Sequence, residues 1–121
     1  MSKLPPLRDI LSGDPISDET LEDFRNRFRE RLFELVLSEY RKQAEKGMTK
    51  GHIAHRINRR PEQITRWLGA PGNWTLETVS DLLLVISQAE PIIGLKSLVP
   101  DHGGTFFDLG EHGQVFFGFK K

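Results

Sequence analysis

Apolar residues recur at three- and four-residue spacings through the middle of the chain, in segments separated by residues that end helices. In the first segment, which lies between Ser17 and Gly47, the apolar positions are Leu21, Phe24, Phe28, Leu32, Leu35, Val36 and Tyr40. This spacing places the side chains on one face of an α-helix. Ser17 or Asp18 is suited to cap the start of that helix, and Gly47 to close it in the left-handed conformation. The pattern predicts a long first helix with a buried face.

Three shorter helices are predicted to follow, from Thr49 to Ile57, from Pro61 to Leu68 and from Thr75 to about Ala89. Thr49 and Thr75 can each accept an early backbone N–H, and proline suits a first helical position because its missing N–H would be unpaired there anyway. Asn58 tolerates left-handed backbone and separates the first two of these helices, and Pro91 ends the last. The residues expected in the core are Ile53, Ala54, Ile64, Trp67, Leu68, Leu76, Val79, Leu82, Leu83 and Ile86.

The two ends of the chain lack this helical pattern. The first 17 residues hold three prolines and predict an arm with one short turn at 7–11. Near the other end, the runs 105–109 and 114–119 favour β-structure and predict a β-hairpin, and their phenylalanines are expected to pack on the long helix or on a second subunit. The predicted organisation is an N-terminal arm (1–17), a helical domain (18–90) and a C-terminal extension (91–121) for packing or dimerisation.

Composition limits the chemistry that the chain can support. Its 121 residues are the size of one domain, and the absence of cysteine excludes disulfides, thiolate zinc sites and cysteine nucleophiles. No apolar run approaches the roughly 20 residues of a membrane span or forms the core of a signal peptide. His52 and His55 have no third ligand at a spacing diagnostic of zinc. The sequence therefore predicts a cytoplasmic protein with no membrane segment, no enzymatic activity, no cofactor and no metal.

Charge is segregated along the chain, although 17 basic and 17 acidic residues give a formal net charge of zero. Residues 47–70 hold five basic side chains and one acidic side chain, a net charge of +4. Residues 71–119 hold one lysine and six acidic residues, a net charge of −5. Concentrated basic charge is what neutralisation of a nucleic-acid backbone requires. In contrast, acidic residues are interspersed among Arg25, Arg27, Arg29 and Arg31, which indicates a helix surface with internal salt bridges.

Four short elements of residues 48–86 follow one another in a recognisable order, namely Thr49, Ile53-Ala54, Ile64-Thr65-Arg66-Trp67 and Thr75-Leu76-Glu77-Thr78. This ordered set resembles the Cro and phage-repressor (XRE-like) family of helix-turn-helix DNA-binding domains. Two positions depart from the family pattern, since Asn58 stands where glycine is usual in the turn and Arg60 stands where Ser or Thr usually caps the recognition helix. The resemblance implies a mainly α, lambda-repressor-like helix-turn-helix bundle with a long first helix and a C-terminal extension.

The resemblance also implies which residues meet double-stranded DNA. The positions that face base edges fall on Pro61, Glu62, Gln63, Thr65 and Arg66. Gln63 is suited to adenine, Arg66 to guanine or a phosphate, and Glu62 to cytosine, whereas the proline offers only apolar contact. Phosphate contacts are expected from Lys50, Arg59 and Arg60.

These features predict a sequence-specific transcriptional regulator, a repressor that binds the major groove through helix 61–68 as a homodimer. The alternative is a protein-interaction module or antitoxin that uses the helical scaffold and the aromatic C-terminal segment to bind a protein partner. Charge reversal at Arg59, Arg60 and Arg66 distinguishes the two, because it should abolish DNA binding and leave a partner on the C-terminal segment bound.

Overall fold

A computed structural model describes residues 7–99, and this part of the chain is mainly helical, as the apolar spacing predicts. Residues 7–99 form five helices and no strand; the helices are α1 (Leu7–Leu11), α2 (Asp18–Ala44), α3 (Lys50–Arg56), α4 (Pro61–Gly69) and α5 (Leu76–Ser87). The β-hairpin predicted from the runs 105–109 and 114–119 lies outside the described residues. None of the helices within 7–99 is both long enough and apolar enough to cross a membrane.

The chain divides into two compact units. The unit Ser17–Glu90 holds α2 to α5 and the hydrophobic core of the described residues. Residues 7–16 and 91–99 belong to the second unit. In that unit, α1 confirms the short turn expected at the start of the chain, and 91–99 contain neither helix nor strand.

Side-chain hydroxyls cap three of the four helices in the larger unit. Ser17, Thr49 and Thr75 each accept a hydrogen bond from the backbone N–H three residues further on, at 3.2, 3.0 and 3.1 Å respectively. These bonds satisfy amides that have no partner within the helix, and the predicted caps are confirmed. α4 begins at Pro61 as predicted, but Arg60 before it makes no side-chain capping bond.

Left-handed residues follow the last turns of α2 and α5. Gly47 has a φ of 106°, and its N–H donates to the carbonyl oxygen of Ala44 at 3.0 Å, so the predicted glycine cap is confirmed. α5 ends at Ser87 rather than near Ala89, because Gln88 adopts a φ of 51° and donates its N–H to Leu84. Glutamine has no preference for this conformation, so no local signal marks that end.

The core of the larger unit lies where its four helices meet. α2 packs mainly against α5, and α3 packs mainly against α4. The buried residues are Val36, Ile53, Ala54, Ile64, Leu68, Val79, Leu82, Leu83, Val85 and Ile86. Trp67, which the sequence places in the core, is half-buried against this cluster.

Two residues expected on buried helix faces lie in solvent. Leu76 is 82% exposed and Phe28 is 60% exposed, which corrects the prediction for both. α2 has 27 residues and is about 40 Å long, whereas α5 has 12 residues and is about 18 Å long. The shorter helix covers only part of the longer one, and Leu76 is the first residue of α5. Apolar spacing predicts which face of a helix is buried, but it does not predict how much of that face the neighbouring helix covers.

Candidate nucleic-acid interface

Residues 57–60 join α3 to α4 in a turn that backbone hydrogen bonds hold in place. Asn58 is left-handed, with a φ of 58°. Its N–H donates to the carbonyl oxygen of His55 at 3.3 Å, and the N–H of Arg59 donates to that of Ala54 at 2.8 Å. This pair of bonds is the Schellman arrangement, which satisfies the last carbonyls of a helix and ends it. Asn58 therefore takes the left-handed role predicted for it.

The inner sides of α3 and α4 anchor this unit in the core. Ile53 and Ala54 of α3 are at most 1% exposed, and Ile64 and Leu68 of α4 are at most 6% exposed. The two α4 residues are four apart, so they lie on one side of that helix. Burial of these four side chains fixes which side of the unit faces solvent.

The residues predicted to meet DNA lie at the surface of this unit. Six of them are exposed, namely Arg59, Arg60, Pro61, Glu62, Thr65 and Arg66. Lys50 and Gln63 are half-buried. In α4, Glu62 and Arg66 each lie two residues from buried Ile64, which puts them on the opposite side of the helix. All eight residues lie between the first turn of α3 and the middle of α4.

Five basic side chains on this unit make no ion pairs within the described residues. They are Lys50, Arg56, Arg59, Arg60 and Arg66. The side chain of Arg59 donates a long hydrogen bond from Nη1 to the carbonyl oxygen of Asn58 at 3.4 Å. Glu62 lies four residues before Arg66, yet the two form no ion pair in this part of the chain. Within residues 7–99, the positive charge of this unit is therefore not neutralised by a carboxylate.

The arginines of α2 are placed differently. Arg25 and Arg29 both lie near Glu22, with N···O distances of 3.6 and 3.8 Å. The guanidinium of Arg27 stacks on Phe24, 5.3 Å from the ring centroid. These internal contacts agree with the salt-bridged surface predicted for α2. The basic residues of α3 and α4 differ, because they make no ion pair within residues 7–99.

Arg56 is a further candidate contact, which the sequence pattern did not predict. It is exposed in the last turn of α3, directly before the turn that holds Arg59 and Arg60. The family resemblance assigns this position no contact, and the only sequence signal was its share of the +4 charge of residues 47–70.

The two cavities found beside α2 lie away from the basic surface. Their volumes are 330 and 270 Å³, and they are lined by residues of α2, of the loop that follows α4 and of the start of α5. Residues 7–99 contain no group of three or more side chains that could hold a metal, and His52 and His55 are both exposed. Exposed basic side chains on a short helical unit suit a polyanion such as a nucleic-acid backbone.

Comparison of the chain with protein-family models, curated proteins and solved structures found no match. The function of the α3–α4 surface is therefore inferred from its own geometry and charge.

Proposed function

We propose that this chain is a sequence-specific DNA-binding regulator, in which α3 and α4 form a helix-turn-helix within a lambda-repressor-like bundle. The observation that carries this proposal is a set of five basic side chains, on α3, on the turn 57–60 and on α4, that make no ion pairs within residues 7–99, while the inner sides of the two helices are buried. A short helix after a tight turn, with its polar side free, has the geometry that enters the DNA major groove.

Within this proposal, α4 reads base edges and the turn positions it. Gln63 and Arg66 provide bidentate hydrogen-bonding groups for adenine and guanine, and Glu62 accepts from cytosine. Arg59 and Arg60 neutralise phosphates at the start of α4. That start has no side-chain cap. A phosphate oxygen near an uncapped helix N-terminus is stabilised by the free amides and by the helix dipole.

The acidic part of the chain adds selectivity to this interface. Residues 71–119 carry a net charge of −5 against the +4 of residues 47–70. Repulsion between that acidic part and DNA weakens binding that depends on charge alone, so base contacts supply a larger share of the affinity. The chain then acts as a repressor by occluding a promoter, with two copies on half-sites about one helical turn apart.

A salt-dependent titration tests this function. Fluorescence anisotropy is measured with labelled duplexes, including the promoter of the chain's own gene, for the wild type and for Arg59→Glu/Arg60→Glu/Arg66→Glu. The wild type is expected to bind less tightly as salt rises, because counterions are released on binding. Removal of three arginine contacts should weaken binding by about 100-fold or more.

The matched control is Arg31→Glu/Arg41→Glu/Lys42→Glu, which changes the net charge by the same amount. These three residues are exposed on α2, outside the proposed interface. The control should retain most of the affinity, and circular dichroism should show that both triple variants are folded. Absence of salt-sensitive binding by the wild type, or equal losses in the two variants, would falsify the proposal.

A second function, binding of a protein partner, is favoured by one specific feature. Ile92, Ile93 and Leu95 follow α5 in a segment without regular structure and are 64, 86 and 81% exposed. Adjacent exposed apolar residues often mark an interaction site. If this is the main function, Ile93→Glu should abolish capture of the partner, whereas Arg59→Glu/Arg60→Glu/Arg66→Glu should leave it intact.

A further inference from the structure

An apolar groove lies between α2 and the start of α5, separate from the proposed DNA surface. Phe28, Trp74, Leu76 and Val79 contribute its apolar lining, and Arg25 and Arg29 lie at its rim. We call it the α2–α5 groove. Its volume is about 270 Å³. An apolar cavity of about 150 Å³ is enough to hold a benzene ring, so the groove has room for an aromatic side chain.

The groove carries exposed apolar side chains at its edge. Phe28 is 60% exposed and Leu76 is 82% exposed, although both also line the groove. Trp74 is half-buried beside them and packs against Phe33, with ring centroids 6.1 Å apart. A projecting aromatic residue beside an apolar hollow resembles the core of a protein interface more than ordinary surface.

We propose that the α2–α5 groove is a dimer interface, in which Phe28 of each copy inserts into the groove of the other. One patch offers both the projecting ring and a hollow large enough to receive it, so the patch is complementary to itself. The charged residues that line the groove are Arg25 and Arg29, and Glu22 lies beside them at N···O distances of 3.6 and 3.8 Å, so both signs of charge are present next to the groove. A second copy therefore meets opposite as well as like charges. Two-fold pairing of this kind uses the same surface on both subunits.

The groove is connected to α4 by a short loop. Residues 70–75 lead from the end of α4 to the start of α5, and Gly72, Asn73 and Trp74 of this loop line the groove. Contact through the groove would thus fix the position of α4 in one subunit relative to α4 in the second subunit. The biological role of this contact, which is to place two α4 helices on one operator, rests on the proposed function. The contact itself can be tested without DNA.

Sedimentation equilibrium of the full chain without DNA tests the contact. The wild type is expected to dimerise, and Phe28→Arg should weaken self-association by about 30-fold or more, because it removes a central aromatic contact and brings a third cation to Arg25 and Arg29. Ile93→Arg is the control, since Ile93 is an exposed apolar residue outside the groove. It should leave the dimer intact.

A monomeric wild type, a Phe28→Arg variant that still dimerises, or equal dissociation of the Ile93→Arg control would each overturn the inference. The last outcome would place the interface on residues 91–99 instead. Phe28 is mostly exposed, so the variant should fold, and circular dichroism checks that it does.

Crosslinking provides a second test that does not depend on loss of binding. The chain has no cysteine, so single cysteines can be introduced cleanly. A mixture of Arg25→Cys and Leu76→Cys chains, which both keep Phe28, is treated with a short bismaleimide and is expected to give crosslinked dimer in high yield. A mixture of Arg41→Cys and Leu76→Cys chains should give less, because Arg41 does not line the groove. Equal yields would contradict the proposed pairing.

These measurements separate the two proposals. A chain that dimerises through the groove but binds no DNA would contradict the proposed function and leave the groove assignment in place. A chain that binds DNA with salt dependence but stays monomeric would contradict the groove assignment alone.

Discussion

The backbone N–H of Arg59 donates a 2.8 Å hydrogen bond to the carbonyl oxygen of Ala54. Ala54 is 1% exposed and Arg59 is exposed, so this bond ties the basic turn to the core. The geometry depends on the left-handed backbone of Asn58. One residue's conformation therefore positions the arginines that we propose to hold the DNA backbone.

Substitution of Asn58 should reveal this dependence. Asn58→Val is expected to lower the free energy of unfolding by about 1–2 kcal/mol, because a β-branched side chain is strained in left-handed backbone. Asn58→Gly should stay within about 0.5 kcal/mol of the wild type, since glycine has no Cβ. Urea denaturation measures both values. Equal destabilisation by the two variants would show that the turn does not depend on this conformation.

Arg60→Ser should change stability and DNA affinity in opposite directions. Serine supplies the N-terminal cap that α4 lacks and is expected to raise the free energy of unfolding by about 1 kcal/mol. Loss of the guanidinium should weaken DNA binding and lower the slope of log K against log salt by about 0.9, the value of one phosphate contact. Thermal denaturation and anisotropy titration measure the two effects. A variant with unchanged affinity would exclude Arg60 from the interface.

Substitutions at two neighbouring residues of α4 should affect stability and DNA recognition separately. Ile64→Ala is expected to cost about 2–5 kcal/mol of stability, because it opens a cavity at a completely buried position. Thr65→Ala should change stability by less than about 0.5 kcal/mol, since Thr65 is exposed. It should nevertheless reduce the preference for specific over random DNA, as measured by competition. An unchanged preference would remove Thr65 from the set of base-reading residues.

A side-chain bond between α2 and α5 provides a test of the bundle itself. The hydroxyl of Ser87 donates to Oε1 of Glu39 at 2.9 Å, in a half-buried position. Ser87→Ala should lower the free energy of unfolding by about 1 kcal/mol, and a double-mutant cycle with Glu39→Ala, which removes the acceptor, should show coupling between the two residues. Ser80→Ala, at an exposed position of the same helix, is the control. No coupling would mean that this bond contributes nothing to the packing of α2 on α5.

The helix starts were predictable from the sequence because each depends on a local signal. Ser17, Thr49 and Thr75 carry capping hydroxyls, and Pro61 has the fixed φ that suits a first turn. The left-handed residues Gly47 and Asn58 were predictable for a similar reason, whereas the end of α5 at Gln88 was not. Side-chain exposure was less predictable, since Phe28 and Leu76 follow the apolar spacing but are 60% and 82% exposed beside the groove between α2 and the start of α5.

For the candidate site, the segregation of charge along the sequence predicted which segment carries the basic surface. Sequence position alone identified Arg59, Arg60 and Arg66 as members of one basic unit. It did not show that these side chains make no ion pair with any other residue of 7–99, because pairing depends on distances that only the folded chain defines. Periodicity also gave no indication of the α2–α5 groove, which is built by a loop and two helices that are distant in sequence.

Selection of bound sequences from a random pool of DNA duplexes tests the central claim most directly, with the wild type compared with Arg59→Glu/Arg60→Glu/Arg66→Glu. The wild type should enrich a two-fold-symmetric motif whose half-sites are about 10 base pairs apart, centre to centre. The variant should enrich none. If the wild type enriches no motif, or if the variant enriches the same motif equally well, the α3–α4 surface does not recognise DNA.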